Sequence, residues 1–139
     1  MILYQVTRMS LPERFLGQMI HEARRVWPLE ACGLLLGGIE GEVARVSDLK
    51  LAQNIEKSTI SFTIDPQTLL QVYLGAEQEG KELVGIFHSH PVEAKPSATD
   101  MKFMKINPVI WFILSMPKET YAAYQLQGNE IVPVKVVLD

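Results

Sequence analysis

The sequence predicts a mixed α/β domain, and three observations carry that expectation. Apolar runs too short for helices recur at residues 31–36, 83–87 and 109–115, each bounded by polar or turn-forming residues. Between them lie helix-start signals, Ser10 with Glu13 and Asp65 with Pro66. A length of 139 residues suits one domain that buries roughly two thirds of the surface its unfolded chain exposes. Residues 1–139 are therefore read as a single domain, with no repeat, low-complexity tract or linker.

Residues 1–6 read as a short strand. Ser10 and Glu13 then have capping-box spacing for a helix that carries Phe15, Ile20 and Ala23 toward Val26 and is ended by Trp27 and Pro28. ACGLLL, residues 31–36, is closed by Gly37 and Gly38, and the turn IEGE joins it to a second strand over residues 43–51. The pair reads as a hairpin. Residues 60–64 (ISFTI) alternate as a strand. Asp65 is an N-cap with Pro66 at the first position of a helix carrying Leu69, Leu70, Val72, Tyr73 and Ala76, ended near Gly80.

Residues 83–87 (LVGIF) are apolar on both faces, as in a central strand covered from two sides, and His88 and His90 stand at its C-terminal end. Residues 100–106 are a short helix, 109–115 (VIWFILS) a buried strand, and 121–126 and 131–137 strands separated by QGNE.

Composition narrows the function. A net charge of -3 gives no general attraction to nucleic acid or anionic lipid, so neither is an expected partner. The N-terminal stretch lacks the basic region of a signal peptide, and no run of about 18 apolar residues occurs, so a cytosolic protein off the membrane is expected. Cys32 is the single cysteine, which excludes an intrachain disulfide, a zinc ribbon and a CxxC redox pair. Any zinc must use histidine and carboxylate.

Residues i and i+2 of a strand share a face, so His88 and His90 can converge on one ion. Pro91 stops the ladder, and residues 92–96 let the chain double back so that Asp100 can approach as a third ligand. Ser97 and Asp100 also have capping-box spacing, and Ser97 could either cap a helix or donate to a developing oxyanion. Hydrolysis needs a base beside the activated water. Glu30 is the candidate, because an antiparallel 31–36 strand beside 83–87 would bring its mouth to the histidine end. His21, mid-helix without a partner at i+4, reads as a surface residue, and Cys32 as a packed thiol.

Taken together, Glu30 before CGLLLG, then HSHP, then Ser97 and Asp100, resemble the JAMM (MPN+) metalloprotease family. The stretch from Asn54 through SFTIDP resembles its compact prokaryotic members. The resemblance implies a cytidine-deaminase-like α/β fold with a mixed sheet packed between helices. It implies one zinc ion on His88, His90 and Asp100, Glu30 as general acid and base, and Ser97 as oxyanion stabiliser. The implied reaction is cleavage after the C-terminal glycine of a ubiquitin-like modifier, without a covalent intermediate. Six residues separate His90 from Ser97 where the family usually has seven, so the 92–96 loop is expected to be tighter around an intact zinc site.

Two other readings stay open: a peptidase acting on a sulfur-carrier protein with a Gly-Gly tail, and a non-catalytic MPN scaffold, which typically lacks several of these metal residues. A homodimer is also left open.

Overall fold

The structure, a computed structural model, describes residues 5–139. The described elements are β1 (Arg8–Leu11), α1 (Glu13–Val26), β2 (Cys32–Glu40), β3 (Val43–Ala52), α2 (Pro66–Gln78), β4 (Glu82–His90), α3 (Ala98–Ile106), β5 (Ile110–Ser115), β6 (Thr120–Gln127) and β7 (Glu130–Leu138). The mixed α/β expectation holds. The strands pair in the order β1-β3-β2-β4-β5-β6-β7, and β1 closes the sheet on itself by pairing parallel with both β3 and β7. Such closure leaves the sheet without a free edge.

The apolar runs become the middle of this sheet. β4 lies antiparallel to β2 and parallel to β5. Phe87, Ile110, Trp111 and Phe112 are fully buried there with Met9 and Leu35. Burying an aliphatic or aromatic side chain of this size is worth about 1.5–3 kcal/mol, so these strands form the rigid base of whatever stands at their ends. Among the described residues, no helix is long and apolar enough to cross a membrane.

The β2–β3 hairpin forms, but β2 runs through Gly37 and Gly38 to Glu40 instead of stopping before them. The ladder slips by one residue between Leu36 and Gly37. A Cβ at Gly37 would lie 1.8 Å from the Arg45 carbonyl oxygen, so the glycine permits a bulge and does not end the strand.

Three expectations change. Of the strand at residues 1–6, Met1–Tyr4 lie outside the described residues, and Gln5 and Val6 precede the first strand, which starts at Arg8. Ser10 is no helix cap: it belongs to β1, paired with Arg45 and Val137, and its hydroxyl donates to Asp139 Oδ2 at 2.8 Å. Helix α1 instead starts behind Pro12, and the Glu13 N–H donates to the Asp139 carbonyl at 3.0 Å. Residues 60–64 are not a strand. Their polar groups bond to Asn54 and Glu56 rather than to a neighbouring strand, and Ile60 is 76% exposed.

Helix α2 begins as expected, whereas α3 starts at Ala98, ahead of the expected 100–106, because Ser97 caps it. Asp65 accepts from the Thr68 N–H at 3.2 Å, with Pro66 first in α2. α2 turns Leu69 and Val72 to the core and leaves Leu70 and Leu74 exposed. His21 is exposed on α1, as expected.

Candidate metal centre

The register of β2 and β4 assembles the centre. Cys32 stands opposite His88, and one step outward the Ser89 N–H donates to the Ala31 carbonyl at 3.0 Å while the Ala31 N–H donates to Ser89 Oγ at 2.8 Å. Glu30, the next residue, therefore arrives at the His90 end of β4. The antiparallel arrangement expected from the sequence brings Glu30 Oε2 to 4.0 Å from His90 Nε2.

Strand period two puts both imidazoles on one face, with their Nε2 atoms 2.9 Å apart. Asp100 reaches them from the first turn of α3. Its N–H donates to Ser97 Oγ at 3.0 Å, and its Oδ2 accepts from the Ser97 N–H at 2.9 Å, a reciprocal capping box. The same Oδ2 lies 3.1 Å from His88 Nε2 and 3.0 Å from His90 Nε2. Ser97 is thus a cap whose hydroxyl proton is not consumed by capping, since the oxygen acts there as an acceptor.

Protons alone do not satisfy this triangle. If both imidazoles donate to Asp100, two N–H groups face each other at 2.9 Å; if either presents a lone pair, it faces the carboxylate oxygen. His90 Nδ1 faces the Glu93 carbonyl at 3.3 Å, which favours the proton on Nδ1 and a lone pair on Nε2. A cation between the three atoms resolves every clash. Donors about 2.0–2.1 Å from a tetrahedral zinc stand roughly 3.3 Å apart, close to the separations found.

Glu30, His88 and His90 also form a group whose ligand atoms lie within 4.8 Å of one another. Asp100 lies nearer the histidines than Glu30 does: its Oδ2 is 3.0–3.1 Å from both Nε2 atoms, whereas Glu30 Oε2 is 4.0 Å from His90 Nε2. Glu30 is left beside the centre with Oε1 buried and, among the described residues, without a hydrogen-bond partner.

The charges follow from these positions. Burial pushes the Glu30 carboxyl up to about 8, with His90 opposing and Asp100 and Glu56 adding. Burial would also raise Asp100, but the imidazoles of His88 and His90 and the Ser97 N–H hold it well below the usual carboxylate range. Burial pushes His88 down; His90 is raised because Asp100 and Glu30 outweigh its burial. Burial pushes the Cys32 thiol up to about 12, and its Sγ lies 3.5 Å from the Ala52 carbonyl, as suits a packed thiol.

Four supporting residues, Asn54, Phe62, Trp111 and Ser89, had no role at the site in the sequence reading. Asn54 Nδ2 donates to the Glu30 carbonyl at 3.1 Å and the Ser61 carbonyl at 3.0 Å, while its Oδ1 accepts from the N–H groups of Glu56 and Thr63 at 3.1 Å each. The Glu30 N–H donates to the Ser58 carbonyl at 2.9 Å, so one loop grips both sides of this residue. Phe62, on that loop, stacks on His88 with ring centroids 4.9 Å apart, and Trp111 meets the same imidazole edge-on at 5.6 Å. Ser89, between the two histidines, locks Ala31 as described. Only the buried position of Ser89 inside HSH was a local signal; the contacts that join Asn54 to Glu30 and Phe62 to His88 are remote in sequence.

Comparison with known proteins places the chain in a family. Residues 12–127 match the family model of prokaryotic homologs of the JAB domain. A desampylase from Pyrococcus furiosus is 37% identical over 115 residues, covering 80% of this chain and 77% of that protein. A CysO-cysteine peptidase from Mycobacterium bovis is 32% identical over 127 residues, covering 86% and 84%. The solution structure of a Desulfitobacterium hafniense protein superposes with a TM-score of 0.83 at 26% identity, covering 94% of this chain and 92% of that one. On its sequence and its fold, the chain belongs to the prokaryotic JAB family, of JAMM/MPN type.

Proposed function

We propose that this chain is a zinc-dependent JAMM hydrolase, acting as a single domain, that cleaves the peptide or isopeptide bond after the C-terminal glycine of a ubiquitin-like modifier. The observation that carries the proposal is the meeting of His88 Nε2, His90 Nε2 and Asp100 Oδ2 within 2.9–3.1 Å, with the Glu30 carboxylate 4.0 Å from His90. A scaffold has no need of that constellation. The relatives named desampylase and CysO-cysteine peptidase support removal of a protein modifier.

His88, His90 and Asp100 hold the ion. Zinc bound there supplies a Lewis acid and the means to acidify water toward a pKa near 7. Glu30 takes the proton of the attacking water and hands it to the departing amine, a role open to it because its carboxyl stands beside the ligands, 4.0 Å from His90 Nε2. Ser97, its hydroxyl proton free of the capping bond, donates to the developing oxyanion. Asn54 holds Glu30 in place through its carbonyl, and Phe62 and Trp111 hold the His88 ring. Glycines at the end of an extended tail suit access to an amide beside these aromatic rings.

A second substrate class, a sulfur-carrier protein bearing a small leaving group on its terminal glycine, is favoured by the CysO-cysteine peptidase at 32% identity. It requires the same residues in the same roles. Incubating the protein with both kinds of conjugate, and with a Glu30→Gln variant alongside, tests the proposal. Release of free modifier by the wild type but not by the variant is expected; equal release by both removes Glu30 from its role.

A further inference from the structure

The loop between His90 and Ser97 is held by its carbonyl oxygens, three in succession. The Ser115 hydroxyl donates to the Val92 carbonyl. His90 Nδ1 faces the Glu93 carbonyl at 3.3 Å. The Tyr124 hydroxyl donates to the Ala94 carbonyl at 2.9 Å. Ser115 is also the register partner of His90 across β4 and β5, and the Met116 N–H donates to the His90 carbonyl at 2.8 Å. The loop is thus tied to β5 and β6 on both sides of the one peptide that faces the His90 ring.

We propose that Ser115 and Tyr124 are positioning residues that set the ring orientation and tautomer of His90 through the Glu93 carbonyl. The inference rests on the metal-centre reading above. A carbonyl facing Nδ1 keeps the proton there and leaves the Nε2 lone pair for the ion. At 3.3 Å this contact is longer than a typical N–H···O bond, so small loop movements decide whether it forms. Clamping the carbonyls at 92 and 94 removes that freedom. It also gives the six-residue connection from His90 to Ser97 a defined path, so a short loop and an ordered ligand set occur together.

Tyr124 is the cleaner test, because phenylalanine keeps its ring and removes only the hydroxyl. Zinc dissociation constants, read by competition with a chromogenic chelator, are compared for wild type, Tyr124→Phe and the Ser115→Ala/Tyr124→Phe double variant. Removing a residue that supports a metal ligand typically weakens binding 10–100-fold, and Tyr124 acts one bond further out, so about a 3–10-fold loss is expected for the single variant and more for the double. The thermal midpoint of zinc-free Tyr124→Phe should fall no further than the loss of one hydrogen bond accounts for. Unchanged zinc affinity in both variants overturns the inference, as does a loss of affinity only in variants whose zinc-free fold is destabilised in step. A wild type without zinc affinity overturns the functional reading and this inference together; tight zinc binding that no variant alters overturns this inference alone.

Discussion

Glu30 Oε2 stands 4.0 Å from His90 Nε2, while its other carboxylate oxygen is buried and has no hydrogen-bond partner among the described residues. A buried carboxylate left that way is costly to the fold, so its presence beside two imidazoles points to a role outside stability. Glu30→Gln keeps the shape and removes the base. Zinc content and the zinc-free thermal midpoint should match or exceed wild type, while hydrolysis falls by about 10²–10⁴-fold, the usual contribution of a general base. Metal analysis alongside turnover checks both halves, and a variant that loses its zinc would move Glu30 into the ligand set.

Ser97 has two roles that one substitution separates. Asparagine still caps α3, so Ser97→Asn should hold stability within a few tenths of a kcal/mol, whereas Ser97→Ala should lose about 1 kcal/mol. Both lack the hydroxyl and should turn over about 10²–10³-fold more slowly, the usual cost of losing one oxyanion donor. Chemical denaturation and single-turnover rates on the same samples decide; full activity in Ser97→Asn would leave Ser97 with the cap alone.

Asn54 uses both amide protons and accepts two bonds, linking the Glu30 carbonyl to the loop that carries Phe62. At about 1 kcal/mol per net hydrogen bond, Asn54→Ala should cost about 2–4 kcal/mol. The decisive readout is activity at a denaturant-free temperature well below its unfolding midpoint. There kcat should fall with KM little changed, because Glu30 and His88 are displaced together; a kcat equal to wild type would confine Asn54 to folding.

Acid sensitivity should be visible away from the site. Lys81 lies 2.5 Å from Asp48 and holds its carboxyl below the ordinary value, chiefly by their hydrogen bond. A carboxyl lowered in the folded state binds fewer protons folded than unfolded, so its stabilisation is present above the ordinary carboxylate pKa of about 3.9 and is lost as pH falls through the folded value. Wild type and Asp48→Asn should differ in unfolding midpoint near pH 6 and converge toward pH 2–3. A gap that stays constant over that range contradicts the assignment.

The part of the site that the sequence revealed is the part built locally. His88, His90, Ser97 and Asp100 fall within one strand–loop–helix segment, residues 88–100, where strand period and capping spacing dictate direction. Glu30 was reachable because a short apolar strand beside a buried one has few ways to pair. Asn54 and Phe62 were not, since an alternating ISFTI segment has the pattern of a strand whether its polar groups find a ladder or a buried amide. Ser10 misled for a similar reason: its spacing to Glu13 fits a cap, but parallel pairing with β3 and β7 commits it to β1. The closure of the sheet through β1 depends on segments at opposite ends of the chain, and no local pattern encodes it.

The most direct measurement is the rate at which the purified protein releases a modifier from a conjugate joined through its terminal glycine, with and without a zinc chelator. Release that stops with the chelator, returns on adding zinc and is absent in Glu30→Gln is the predicted result. Release that the chelator leaves untouched, from protein shown to have lost its metal, would contradict it.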